Sequence, residues 1–268
     1  MPQSDTVTVL GVAYDASSSY LRGAADAPPL IRQAFHSDSA NTWAENGLDI
    51  AQPGLLRDAG DLRPAPGADA FAEIEAAVGH IVQAGERPLI LGGDHSITFP
   101  IVKAIAAQHP RLNILHIDAH PDLYDHYEGD RRSHACPFAR IMEAGLAQRL
   151  VQIGIRTLNA HQREQAARFG VEIIEMRDWR DDLTFDFEGP LYLSLDMDGL
   201  DPAFAPGVSH LEPGGFSTRQ VLRVIQSLRA PLVGADLVEF NPRVESRLTS
   251  MTAAKLVKEL AAALLTSG

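Results

Sequence analysis

Short apolar, β-branched runs recur along the chain, and polar or helical stretches separate them. The runs are Val7 to Val12, Leu55 to Ala59, Pro88 to Leu91, Leu112 to Ile117, Leu150 to Ile155, Val171 to Ile174, Leu191 to Leu195 and Leu232 to Val238. Their lengths and compositions suit strands, so eight strands are expected. Helical patterns lie between most of them, at Asp69 to Gln83, Ile97 to Gln108, Pro137 to Ala147, Ala160 to Phe169 and Thr218 to Leu228, with Thr252 to Leu265 closing the chain. Strands that alternate with helices predict an α/β fold, with a mainly parallel sheet covered by helices on both faces. Ser217 followed by Gln220 reads as a capping box, and Ser96 reads as the cap of the helix after Gly92 and Gly93.

The longest loops expected are Asp15 to Asp26, His36 to Gly54, Pro121 to Ser133 and Gly199 to Phe216. Loops of this length in a compact fold are usually functional. No internal repeat and no linker-like tract divides residues 1–268, so one domain is expected.

Composition narrows the function classes. A net charge of -12 disfavours nucleic acid as a partner, because phosphate binding needs clustered Lys and Arg, and mildly favours a cationic small molecule. No run of eighteen apolar residues exists, and Met1 to Thr8 has no basic region followed by an apolar core, so neither membrane spanning nor export is expected. The single cysteine, Cys136, cannot form an internal disulfide, which makes the cytoplasm the expected compartment.

Three clusters carry the chemistry. Leu91-Gly92-Gly93-Asp94-His95-Ser96 turns sharply at the end of a strand and presents His95. His116-Ile117-Asp118-Ala119-His120-Pro121-Asp122 follows another strand, and the period-two geometry of extended chain lets Asp118, His120 and Asp122 converge. Ser194-Leu195-Asp196-Met197-Asp198 places Asp196 and Asp198 on one face in the same way, while Asp201 before Pro202 is expected to fix the turn. All three lie at the carboxyl ends of predicted strands, where open parallel sheets bind ligands. Two imidazoles and four carboxylates exceed what one ion needs and suit two oxygen-preferring divalent ions bridged by carboxylates.

The clusters, in this order, resemble those of the ureohydrolase family of arginases and agmatinases. Ser18-Ser19-Tyr20, Ala27-Pro28-Pro29-Leu30-Ile31-Arg32, the run Ser133 to Glu143 and the run Asp201 to His210 are especially similar to plant-type arginases. The resemblance implies a three-layer α/β/α fold, two Mn²⁺ per subunit and a homotrimer or homohexamer. It implies that His95, Asp118, Asp122 and Asp196 hold one ion and His120, Asp118, Asp196 and Asp198 the other. Glu239 then pairs with the substrate guanidinium, His134 shuttles protons, and Asp122 serves the nucleophile. Tyr124 is expected to join Glu239 and His134 in binding substrate; Arg131 or Arg132 could meet an α-carboxylate, though solvation on the surface is the commoner outcome for such arginines.

L-arginine leads as substrate, with agmatine or another guanidino acid as the alternative. A single-zinc deacetylase would not need both His95 and Asp122 as ligands, and a metal-binding regulator without turnover would have no use for Glu239 and His134 as well.

Overall fold

The structure is a computed structural model and describes residues 6–65 and 69–267. Residues 1–5, part of the segment read above for an export signal, and residues 66–68 lie outside the described residues.

Eight strands form one sheet: β1 Val7–Val12, β2 Leu56–Leu62, β3 Arg87–Leu91, β4 Asn113–Ile117, β5 Arg149–Ile155, β6 Glu172–Glu175, β7 Leu191–Asp196 and β8 Leu232–Val238. The order across the sheet is β2-β1-β3-β8-β7-β4-β5-β6 and every pairing is parallel, so the expected mainly parallel sheet is wholly so. Seven helices accompany it: α1 Ala27–Phe35, α2 Ala70–Gln83, α3 Thr98–Ala106, α4 Pro137–Glu143, α5 Ala160–Phe169, α6 Thr218–Ser227 and α7 Arg247–Thr266.

Alternation along the inner strands builds two cores. In β3, Leu89 and Leu91 face Ile31, Leu222 and Leu260 of α1, α6 and α7. Ile90 between them faces Ile74, Ile101 and Phe138 of α2, α3 and α4. Burial of both faces is why these strands read as continuous apolar runs. The outcome is a three-layer α/β/α sandwich.

Among the differences from the sequence reading, three have a visible cause. Helix α1 is not among the helices expected, because Pro28 and Pro29 look like helix breakers; they occupy its first turn, where a missing N–H costs nothing. Helix α7 starts five residues early, since the Glu245 carboxylate accepts from the Leu248 and Thr249 amides and caps that end. The cap beside His95 is Asp94 rather than Ser96: the Asp94 carboxylate accepts from the Ser96 amide at 3.1 Å. The capping box of Ser217 and Gln220 forms as expected.

Sheet order is what assembles the site. Strands β3, β8, β7 and β4 are adjacent in the middle of the sheet, and the three clusters together with Glu239 leave from their carboxyl ends.

Candidate metal centre

After β3 the chain must pass against Tyr14. A Cβ on Gly93 would lie 1.7 Å from the Tyr14 carbonyl oxygen, so only glycine allows the turn that delivers fully buried His95. The His95 Nε2 lies 3.0 Å from Ser194 Oγ, and that hydroxyl donates to Asp236 Oδ1 at 2.7 Å. Asp236 also accepts from Thr98 Oγ1 at 2.7 Å and from the Tyr192 hydroxyl at 2.6 Å. With its one proton given to Asp236, Ser194 can only accept from His95. In the neutral ring, the form able to bind a metal ion, this places the proton on Nε2 and leaves Nδ1 as a bare lone pair.

That lone pair has no hydrogen-bond partner although it is buried. Around it stand Asp118 Oδ2 at 3.2 Å, Asp122 Oδ2 at 3.1 Å and Asp196 Oδ2 at 3.1 Å. Four electron pairs aimed at one point repel each other unless a cation lies among them. Burial alone would lower the His95 pKa, yet these carboxylates drive it well above its ordinary value, a direct expression of the same demand for positive charge. One nitrogen and three carboxylate oxygens suit a divalent ion that prefers oxygen.

A second grouping adjoins the first. His120 Nδ1 lies 3.1 Å from Asp198 Oδ2 and 3.4 Å from Asp118 Oδ1. Asp118 therefore turns one oxygen to each imidazole, as a bridging carboxylate must. Asp196 approaches His95 but not, within ion-pair distance, His120; its other oxygen accepts from the Asp198 amide at 2.7 Å. Its expected second role as a bridge is not visible in these contacts.

His116 also lies close to this cluster. Its Nδ1 accepts from Gln152 Nε2 at 3.0 Å, so its Nε2 is the protonated nitrogen and donates to Asp118 Oδ2 at 2.8 Å. It orients a ligand and is not positioned as one.

Asp122 and Glu239 are held at φ 47° and 63°, in the left-handed region that side chains other than glycine and asparagine seldom adopt. Such conformations persist where surrounding contacts impose them, and they cluster at functional sites. Glu239 Oε1 accepts from the His95 amide at 2.9 Å and faces His134 Nδ1 at 2.8 Å. The far nitrogen of His134 lies 2.8 Å from Ser19 Oγ, a hydroxyl able to accept from the charged ring or donate to the neutral one. Burial pulls the His134 pKa down, but Glu239, with Asp122 and Asp94 behind it, more than reverses this and leaves it at about 9.

His120, Asp122, Asp196, Asp198, Glu239, His134 and Ser19 line one cavity of about 190 Å³, together with Tyr124, Tyr127, Thr157, Gln162 and His210, and the buried His95 and Asp118 stand behind them. All six predicted ligands, Glu239, His134 and Tyr124 thus converge. Arg131 and Arg132 do not. Arg131 pairs with Asp125 and Glu143, and Arg132 pairs with Asp69 while lying over the Phe71 ring, so both are spent on the surface. Asp201 fixes its turn as expected, accepting from the Ala203, Gly214 and Gly215 amides. Cys136 is buried, and burial, then Asp122, pushes its thiol up to about 12, which leaves no thiolate for chemistry.

Sequence reasoning did not single out Ser19, Ser194, Gln162 or Asp236 as site residues. Only Asp236 offered a signal, a carboxylate in the middle of an apolar strand.

The model of the arginase family matches residues 5–263. Mitochondrial arginase 1 of Arabidopsis thaliana is 46% identical over 281 residues, covering 96% of this chain and 80% of that one. The chain belongs to the arginase family. It is a ureohydrolase, and the arginase of Medicago truncatula has the same architecture, with a TM-score of 0.90 at 41% identity, covering 98% of this chain and 89% of that chain. The agmatinase of Bacillus anthracis is 33% identical over 269 residues, or 96% of this arginase-family chain and 91% of the agmatinase. Among the described residues no helix is long and apolar enough to cross a membrane. The Arabidopsis relative is named as mitochondrial, whereas the lone Cys136 led to a cytoplasmic expectation here.

Proposed function

We propose that this chain binds two Mn²⁺ and hydrolyses L-arginine to urea and L-ornithine. The observation that carries the reading is the bare Nδ1 of His95 facing three carboxylate oxygens, beside a second imidazole that shares Asp118. His95, Asp122 and Asp196 with one oxygen of Asp118 would hold one ion, and His120 and Asp198 with the other oxygen of Asp118 the second. Bound there, two such ions lower the pKa of water and polarise the group under attack.

The chain's own residues do the rest. The Glu239 carboxylate lies in the cavity with one oxygen fixed by the His95 amide, which sets its plane for a planar guanidinium. His134, charged below about pH 9, holds a proton beside Ser19 and can give it to the departing amine. Likeness to plant arginases favours L-arginine, and likeness to the Bacillus anthracis agmatinase makes agmatine the competing substrate.

Urea release by the Mn²⁺-loaded protein, measured in parallel with L-arginine, agmatine and 4-guanidinobutyrate, tests the reading. Turnover of L-arginine is expected, and silence with all three would overturn it.

The Asp236 to Ser194 to His95 chain yields a separate prediction. Asp236→Asn leaves shape and two hydroxyl donors but weakens the acceptor that fixes the Ser194 proton. Mn²⁺ affinity, titrated calorimetrically into metal-free protein, is expected to fall roughly 10- to 100-fold. An unchanged affinity would show that Ser194 orients His95 without help.

A further inference from the structure

Beside the first ion grouping lies a third imidazole that neither grouping uses. One ring nitrogen each of His95 and His116 and one oxygen of Asp118 lie within 4.8 Å of one another, close enough to share a cation. His116 is fully buried, and packing holds its ring in place: it stacks on Phe138 at 4.0 Å between centroids and meets the His95 ring at 4.9 Å. Distance therefore does not keep His116 from the ion. Its proton does. The Nε2 that faces Asp118 donates to Oδ2 at 2.8 Å, and a ring nitrogen that carries a hydrogen has no lone pair for a metal.

The place of that proton is decided on the other side of the ring. Gln152 pairs with His116 across β4 and β5 and is fully buried. Its Nε2 donates to the Pro121 carbonyl oxygen at 2.6 Å and to His116 Nδ1 at 3.0 Å. A carbonyl can only accept, so the amide must turn its NH₂ to this side and its oxygen away. The Oε1 so turned is buried with no hydrogen-bond partner among the described residues, which shows what this orientation costs. The opposite His116 tautomer would set N–H against N–H at Gln152 and a lone pair against a carboxylate oxygen at Asp118. Pro121 stands between His120 and Asp122. The segment that carries three candidate ligands thus fixes, through Gln152, the proton of the imidazole beside them.

We infer that Gln152 governs which metal the centre prefers, by holding His116 in the tautomer that supports Asp118 and so denying the ion a second imidazole. With Gln152 in place, the ion beside His95 meets one nitrogen and three carboxylate oxygens, a set that suits Mn²⁺ or another oxygen-preferring ion. With the His116 proton moved to Nδ1, a second imidazole lone pair would face the same oxygen of Asp118. Two imidazoles shift the donor set towards Zn²⁺. Gln152 is a positioning residue in this scheme, since it touches His116 and acts only through it.

The inference rests on the proposed metal centre, and the test separates the two. Mn²⁺ and Zn²⁺ are titrated calorimetrically, each alone, into metal-free wild type and Gln152→Glu, and the ratio of the two affinities is compared. Zn²⁺ binds most sites more tightly than Mn²⁺, so the ratio and not the rank is the readout. In Gln152→Glu, burial keeps the new carboxyl protonated; its hydrogen goes to the Pro121 carbonyl, and its other oxygen accepts from His116 Nδ1. The preference is expected to move about 10-fold or more towards Zn²⁺. A purely structural role would weaken both ions alike and leave the ratio unmoved. Nitrogen-15 NMR of metal-free wild type, which needs no variant to fold, is expected to show the His116 proton on Nε2. A proton on Nδ1 there, or a folded Gln152→Glu with the wild-type ratio, would overturn the inference and leave the metal centre standing. Wild type that binds neither ion would overturn the centre and the inference with it. Silence in the urea assay, with the ratio still moved by Gln152→Glu, would overturn the reaction alone.

Discussion

Replacing Asp196 by asparagine is expected to stabilise the metal-free protein while removing its activity. The Asp196 carboxyl is buried, and burial followed by Asp198 and Asp118 drives its pKa well above the ordinary carboxylate range. In the unfolded chain it ionises near pH 4, so between that pH and its folded pKa the native state loses stability as pH rises. A neutral amide in its place would abolish this loss at almost unchanged volume. The melting temperature of the metal-free variant should exceed that of metal-free wild type at pH 7 by about 3 °C or more, and the gap should close towards pH 4.

With Mn²⁺ the order reverses. Ligands that bind only the folded state stabilise it in proportion to their affinity, so wild type gains and the variant gains little. Loss of one of three carboxylates around His95 Nδ1 should reduce urea release by about 1,000-fold or more, since a partner one step further out is already worth roughly 10- to 100-fold. A variant with full metal-induced stabilisation and undiminished turnover would remove Asp196 from the ligand set.

The second large effect is expected from Glu239→Gln, which changes substrate capture and proton supply together. A charge-assisted pair with a buried guanidinium becomes a neutral one, so kcat/KM should fall about 100- to 1,000-fold. The same change removes the carboxylate 2.8 Å from His134 Nδ1, whose presence offsets burial and lifts that imidazole to about 9. The sign follows from linkage. A histidine whose folded pKa is raised contributes stability in full below its ordinary 6.5, and this is lost as pH rises through about 9. Wild-type metal-free protein should therefore be favoured over Glu239→Gln most at pH 6 and least at pH 10. NMR titration should show the His134 ring falling from about 9 in the variant, because the largest of the charges opposing burial is gone while Asp122 and Asp94 remain. A His134 titration indifferent to the substitution would break the proposed link between the pair and proton delivery.

Much of the fold was legible because its determinants are local. A strand buried on both faces must be apolar throughout, and the inner runs announced their strands within a few residues of the observed bounds, whereas the edge strand β2 is exposed and carries Arg57, Asp58 and Asp61. Candidate metal ligands at the ends of β4 and β7 were legible for a related reason. Residues two apart in extended chain share a side, so Asp118, His120 and Asp122, like Asp196 and Asp198, arrive together wherever the strand is placed. Helix α1 was missed on local grounds too, because proline breaks a helix or begins one according to its position.

The set of strands and most helices, the parallel α/β class and the six candidate ligands are thus written in the local pattern of the chain. Long-range packing chose the pairings that periodicity cannot carry, because they join residues far apart in sequence. Sheet order set β3, β8, β7 and β4 side by side and so brought Ser194 within 3.0 Å of His95 and Glu239 within 2.8 Å of His134. It placed Ser19 against a histidine 115 residues away. It also spent Arg131 and Arg132 on surface acids and turned the amide of Gln162 to the cavity, choices that depend on which groups happen to meet across the fold. A short-range pattern fixes which way a residue points, whereas only the closed fold fixes what it points at.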